Sequence, residues 1–319
     1  MVFKPFLIFG IYMRIDDLKN KKPLTNFELL ASQVVEGFFA GMHQSPFHGF
    51  SVEFAEHRLY NKGESTKHID WKIFAKTDKL YVKRYDEETN LRCHLIIDNS
   101  ASMHYPNSKN TSIEDLNKIG FSTVASASLM NLLKKQRDAV GLSIYSDNYE
   151  YYAPEKGSER HHRRLLTQLE QLLQNVTTTP TETYTFLHQI AENLHRRSLV
   201  FLFTDMWQAN ANEEALFEAL RHLKYNKHEV VLFHTYDAET ELNFDFDNQP
   251  KRFVDVETGE HINLYADNIK TEYKKTVKNY FQHLKMKCLQ YRIDYVPVDI
   301  NQGFHTILST YLLSRKKFI

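Results

Sequence analysis

Two apolar runs in this chain each end abruptly at acidic or hydroxyl residues. Leu95-Ile96-Ile97 runs into Asp98, and Leu199-Val200-Phe201-Leu202-Phe203 runs into Thr204-Asp205. A short, continuous apolar run bounded by polar residues predicts a strand buried on both faces of a parallel sheet. From Arg92 onward such runs alternate with amphipathic stretches. The pattern predicts helices around Ile113–Lys135, Arg160–Gln174, Phe186–His195 and Glu213–Tyr225. Between them it predicts strands near Ala139–Ser146, Tyr149–Ala153, Ser198–Thr204 and Glu229–Tyr236. Asp237–Leu264 breaks the alternation: it is acidic and turn-rich, with a hairpin expected around Glu257-Thr258-Gly259. A helix from Lys270 to Cys288, a strand from Arg292 to Val298 and a helix from Thr306 to Ser314 complete the pattern. Alternation of this kind predicts an α/β fold of three layers, a mostly parallel, Rossmann-like sheet with helices on both faces.

Upstream, Phe27, Leu29, Leu30, Val34, Val35, Phe38 and Phe39 recur at helical spacing behind Asn26, a capping residue type. This helix is expected to pack its apolar face on the main domain. Residues 1–87 are accordingly read as an N-terminal helix and charged segment, and 88–319 as the main domain. Met1–Tyr12 is apolar but far shorter than the roughly 20 residues of a membrane span.

Composition adds little. The chain has 319 residues, with 40 Lys+Arg against 40 Asp+Glu, so overall charge favours neither nucleic acid nor an anionic membrane. Cys93 and Cys288 lie far apart without zinc spacing, which points to buried apolar thiols in a reducing, cytoplasmic setting. His43, His48, His57 and His68 are scattered too irregularly for a zinc site. Tyr149–Tyr152 lacks the basic groove of a nucleic-acid stacking platform and reads as core or edge strand.

The chemistry-bearing stretch is Asp98-Asn99-Ser100-Ala101-Ser102. At the C-terminal end of a parallel strand, one carboxylate and two hydroxyls make a hard oxygen surface suited to Mg²⁺. A strand end followed by a serine-rich helix cap explains these residues equally well. Asp205 shifts the balance. If the two apolar strands are neighbours, Asp98 and Asp205 meet at one sheet edge, where paired carboxylates repel unless a cation lies between them. The threonine-rich segment 177–183 offers a further hydroxyl, or helix caps at Thr181 or Thr183.

Asp98-x-Ser100-x-Ser102, a later loop threonine and Asp205 resemble the metal-ion-dependent adhesion site of von Willebrand factor A domains. Glu53-Phe54, Glu56, Arg58, Tyr60, Gly63, Ile69-Asp70-Trp71 and Ala75, followed by Tyr81-Val82-Lys83 and Glu87-Glu88, resemble a bacterial signature. It is that of the domain of unknown function 58 family, which is associated with MoxR-type AAA+ ATPases. The resemblance runs from about residue 40 to the C-terminus. The chain departs from the family pattern at Gly63-Glu64-Ser65, where members read G-D-D, and at His48 and Lys76, where they carry arginine.

The resemblance implies a von Willebrand factor A-like domain with a metal held by Asp98, Ser100, Ser102, Thr181 and Asp205. Thr181 is favoured over Thr183 because Leu187 then falls at the family's helical leucine position. Mg²⁺ is the expected ion, with Mn²⁺ and Ca²⁺ as alternatives. It further implies a non-enzymatic, cytoplasmic interaction module whose protein partner supplies a carboxylate to the metal, beside a MoxR-type ATPase. Two other readings compete. One is a Mg²⁺-dependent phosphohydrolase with Asp98 as nucleophile, although such enzymes resemble Asp-x-Asp and position 100 is Ser100. The other is a metal-free scaffold. No P-loop pattern supports an intrinsic ATPase.

Overall fold

A computed structural model describes residues 23–42, 57–59, 71–77, 79–83, 91–106, 116–146, 149–174, 183–206, 213–225, 227–254 and 261–316. In chain order the elements begin with α1 (Pro23–Met42), β1 (His57–Leu59), α2 (Trp71–Thr77) and β2 (Tyr81–Lys83). Then come β3 (Arg92–Asp98), a 3-10 turn (Ala101–His104), α3 (Lys118–Lys135), β4 (Ala139–Tyr145), β5 (Tyr149–Lys156) and α4 (Glu159–Gln174). They continue with α5 (Thr183–Asn193), β6 (Leu199–Thr204), α6 (Glu213–Tyr225), β7 (Glu229–Tyr236) and a π-helical turn (Ala238–Leu242). The last are β8 (Pro250–Val254), β9 (His261–Tyr265), α7 (Ala266–Gln290), β10 (Asp294–Asp299), a 3-10 turn (Ile300–Gln302) and α8 (His305–Lys316).

Six strands form one sheet in the order β10-β7-β6-β3-β4-β5, parallel except for the edge strand β5. The mixed α/β architecture expected from the alternation is therefore present. Every residue of β6, and every residue of β3 after Arg92, is buried, as unbroken apolar runs require of central strands. From β3 the chain crosses to β4 on one side, and the next parallel strand, β6, lies on the other side of β3. Loops leaving the C-terminal ends of β3 and β6 therefore diverge, which opens a crevice at this point in open α/β sheets.

Helices cover both faces. On one, Leu187 and Ile190 of α5, Leu216 and Leu220 of α6 and Leu284 of α7 pack on Val200, Leu202 and Val230 of the sheet. On the other, Phe121 of α3 stacks on Phe304 at 4.7 Å, and Tyr311 of α8 meets Phe201 of β6 edge-on at 6.1 Å. α1 joins this second face: Phe27, Leu30, Ala31, Val35 and Phe38 are buried, and Asn131 of α3 donates to the Ser32 hydroxyl at 2.7 Å. It starts at Pro23 rather than behind Asn26, and proline suits a first helical turn. α3 starts at Lys118, five residues later than the pattern suggests, because Asn117 accepts the Gly120 N–H at 2.9 Å and caps the helix there. Cys93 and Cys288 are both buried free thiols.

Residues 39–90 form a separate compact unit. Within it β1 pairs antiparallel with β2, with Arg58 opposite Val82, and α2 lies between them in sequence. Most of the bacterial signature, the loop expected at Gln44–Phe54 and residues 1–22 lie outside the described residues. Among the described residues no helix is long and apolar enough to cross a membrane.

Burial sets one measurable property of this core. His228, at the mouth of β7, is fully buried, and its Nδ1 accepts the Ser198 N–H at 3.1 Å. Burial pushes its pKa below the ordinary 6.5, outweighing the Glu155 charge and the Ser198 hydrogen bond. The unfolded chain therefore takes up a proton on this imidazole before the native one does, so stability falls as pH drops through 6.5. His228→Gln is expected to flatten the pH dependence of the urea midpoint between neutrality and mild acid. His104, His161 and His162, also lowered by burial, leave a residual slope of the same sign, and Asp98, raised by burial, contributes one of opposite sign.

Candidate functional site

The sheet register brings the two acid-terminated strands together. β3 pairs with β6 through Ile97 opposite Phe203, so Asp98 and Thr204 follow side by side and Asp205 begins the next turn. The Thr204 hydroxyl donates to Asp98 Oδ2 at 2.7 Å, and the Ser100 N–H donates to Asp98 Oδ1 at 2.9 Å. Both carboxyls are almost wholly buried, at 2% and 4% exposure. Burial first, and the negative charge of Asp205 second, push the Asp98 carboxyl from 3.8 up to about 7, against the lowering effect of the Thr204 and Ser100 hydrogen bonds.

Ser100 and Ser102 face one another, with their hydroxyl oxygens 3.1 Å apart. Ser100 precedes the 3-10 turn in extended backbone, yet its side chain makes no capping bond to it. The two serines are thus turned toward each other at the crevice, and the capping explanation does not describe Ser100. Their spacing is close to the roughly 3 Å between adjacent oxygens around an octahedral Mg²⁺ with 2.0–2.1 Å bonds. Thr181 lies outside the described residues, and Thr183 opens α5. The structure therefore brings four of the five residues named from the sequence, Asp98, Ser100, Ser102 and Asp205, to one crevice.

A residue that sequence reasoning missed completes the cluster. Lys118, the first residue of α3, is 1% exposed, and its ammonium donates to Asp205 Oδ2 at 2.8 Å and to Glu241 Oε1 at 2.5 Å. A cation at a helix N-terminus opposes the helix dipole, and burial opposes its charge. The two carboxylates outweigh burial and hold the ammonium above its ordinary pKa. Glu241 reaches it from the π-helical turn, where the Asn243 N–H donates to the Ala238 carbonyl at 2.9 Å. Asp205 and Glu241 share one ammonium, and Asp98 feels the charge of Asp205; with all three carboxyls ionised the cluster would carry a formal excess of two negative charges. His234 beside them adds no positive charge near neutrality, because burial lowers it to about 4. Among the described residues no three His, Cys, Asp or Glu side chains converge to hold a metal.

A second constellation has the outline of a hydrolase triad. Ser143 Oγ lies 2.7 Å from His94 Nε2, and His94 Nδ1 lies 2.7 Å from Glu155 Oε1. All three side chains are interior ones: Ser143 and His94 are 0% exposed and the Glu155 side chain likewise. The network ties β3, β4 and β5 together from inside. A nucleophile without access to substrate has no catalytic use, so its role is structural.

A family model described as "Protein of unknown function DUF58" matches residues 56–282 of this chain. Uncharacterized proteins from Mycobacterium bovis and Mycobacterium tuberculosis are 32% identical over 91 residues. That stretch covers 28% of this chain and only 29% of each relative's length. Among solved structures, an uncharacterized membrane-spanning protein from Vibrio fischeri aligns over 70% of this chain and 98% of its own, with 15% identity and a TM-score of 0.18.

Proposed function

The chain belongs to the DUF58 family, and from that premise we propose that it is a non-enzymatic, divalent-metal-dependent protein-interaction module with a von Willebrand factor A-like fold. The observation that carries this reading is the pair of buried carboxyls, Asp98 and Asp205, at the sheet's crevice beside two mutually facing hydroxyls. An excess of two negative charges in a buried cluster calls for a proton or a cation. A bound Mg²⁺ would supply that charge and an exchangeable coordination position for a partner's carboxylate. Ser100 and Ser102 would hold it directly, with Asp98 and Asp205 bonded directly or through water. Asp98 is poorly placed as a nucleophile, since both its oxygens already accept hydrogen bonds and Ser100 stands where a second aspartate would assist. The resemblance of the signature segment supports a MoxR-type AAA+ ATPase as the working partner.

The Lys118 bridge favours a second reading, a metal-free scaffold in which the ammonium is the only cation Asp205 needs. Thermal melts decide between them. A ligand bound only by the native state at 100 times its Kd adds about 2.7 kcal/mol of stability. Mg²⁺ is expected to raise the melting temperature of the wild type by several degrees over EDTA, and to leave Asp98→Ala unchanged. Absence of any shift with Mg²⁺, Mn²⁺ and Ca²⁺ in the wild type would establish the scaffold instead. Phosphate-ester turnover lost in Asp98→Asn would establish the phosphohydrolase.

A further inference from the structure

The crevice does not end at the serines. A cavity of about 750 Å³ opens from it between β7, the π-helical turn, the β8–β9 hairpin and α7. Its volume lies in the range of ligand-binding clefts, which are mostly apolar with a few convergent polar groups. Its polar lining includes Asp205, Glu241 and Tyr105, which surround Lys118, with Ser102 beside them and His234, Thr235, Thr240 and His261 elsewhere on the wall. The rest is chiefly apolar. Phe244 stacks on Phe253 at 5.3 Å and meets Phe246 at 5.0 Å and Tyr273 at 4.3 Å, while Phe281 extends the wall toward β7. Phe244 holds a positive φ of 48°, a conformation a bulky side chain avoids unless its surroundings enforce it.

The rim carries a further signal. Val254 and Ile262 line the cavity and yet remain 50% and 58% exposed. Exposed apolar residues beside an apolar cleft mark an interaction surface. β8 and β9 pair only with one another among the described residues, so extended backbone borders the cleft on the hairpin side.

We propose that this cleft selects the partner: it takes an extended peptide segment in which an Asp or Glu is flanked by bulky apolar side chains. The carboxylate goes to the metal beside Ser102 and Asp205, and the neighbouring aromatic or aliphatic side chain enters the aromatic cleft. Charge complementarity fixes this choice. Without a divalent ion, Asp205 and Glu241 at the polar end repel a carboxylate; with it, that end would attract one, while the chiefly aromatic and aliphatic walls favour apolar groups. The inference rests on the metal reading, and the test separates the two.

The full chain is first titrated with Mg²⁺ alone by calorimetry. It is then probed in Mg²⁺ and in EDTA against an array of blocked hexapeptides, each holding one Asp with Ala, Lys, Leu or Phe beside it. The expected result is Mg²⁺-dependent binding, roughly tenfold or more tighter for Leu and Phe neighbours than for Ala, as burial of one such side chain implies. Ile262→Asp, an exposed change, is expected to erase that preference while leaving Mg²⁺ affinity and melting temperature intact. Phe246→Ala is expected to weaken the preference in the same way. Mg²⁺ binding without neighbour preference overturns the cleft proposal and leaves the metal reading standing. No Mg²⁺ binding overturns both. Peptide binding that persists in EDTA overturns the role given to the carboxylate. Binding of 3-phenylpropionate as tight as the best peptide assigns the cleft to a small molecule and overturns the peptide.

Discussion

Lys118→Met is expected to destabilise the protein by about 3 kcal/mol in EDTA, and Mg²⁺ is expected to restore more of that loss than it adds to the wild type. The first half follows from burial. Removing one partner of a buried ion pair typically costs 3–5 kcal/mol, because the remaining charge has neither water nor counter-ion. Here two carboxylates lose their ammonium at once. Glu241 is 29% exposed and regains some water, which places the expected cost at the lower end, whereas Asp205 at 3% does not. Methionine keeps the length and the packing of the lysine stem, so the cavity term is small. The second half follows from the charge count. With the ammonium gone, Asp98, Asp205 and Glu241 carry a formal excess of three negative charges, and a divalent ion offsets a larger part of the total. Urea titrations of both proteins, with and without Mg²⁺, measure the two differences directly. An equal Mg²⁺ effect in wild type and variant would separate the ion from Asp205 and remove that residue from the metal's surroundings. A variant as stable as wild type in EDTA would remove Lys118 from any structural role in the crevice.

Why this lysine was invisible in the sequence is instructive. A lone lysine at the start of a helix reads as a solvated residue. Its partners stand 87 and 123 positions further along the chain, in a strand-end turn and in a π-helical turn that no periodicity announces. By contrast, Asp98 and Asp205 were legible because each closes an apolar run, and strands of that kind tend to be neighbours in the centre of a sheet. The hairpin of β8 and β9 was legible from its turn residues. The aromatic cleft beneath it was not, since Phe244 comes from a loop, Phe253 from β8, and Tyr273 and Phe281 from α7. Helix bounds moved by a few residues wherever a cap chose the start, as Asn117 does for α3. The side chains that set the charge balance are thus fixed by tertiary contacts, and those of the Asp98–Ser102 segment by local order. That division also explains how a triad outline can arise in a fully buried network between strands.

His94→Ala tests that outline, with an expected loss of about 3–5 kcal/mol of stability. In the wild type the Glu155 carboxyl is held below its ordinary value of 4.5: burial works to raise it, and the hydrogen bond and charge of His94 outweigh burial. Its stabilising contribution is therefore present above the unfolded value and lost as pH falls through the lower folded one. Without the imidazole, the buried carboxylate keeps only His195, half-exposed, at 3.1 Å, and a cavity opens where the ring stood. Ser143→Ala removes a neutral hydroxyl and leaves one ring nitrogen unpaired, so about 1–3 kcal/mol is expected. The double replacement His94→Leu with Glu155→Leu is expected to cost much less than His94→Ala, since an apolar pair leaves no charge stranded. Space supports the structural assignment. A methyl group added at Gly141 would stand 2.5 Å from His94 Nδ1 and 2.8 Å from the Ala153 carbonyl oxygen, so the pocket around the ring lacks room for even one carbon of a substrate. Denaturant titration of the four proteins reads these differences, and ester-hydrolysis assays run alongside are expected to show none. A Ser143→Ala protein of unchanged stability but lost hydrolysis would overturn the structural role, because a buried strut and a nucleophile fail in opposite ways.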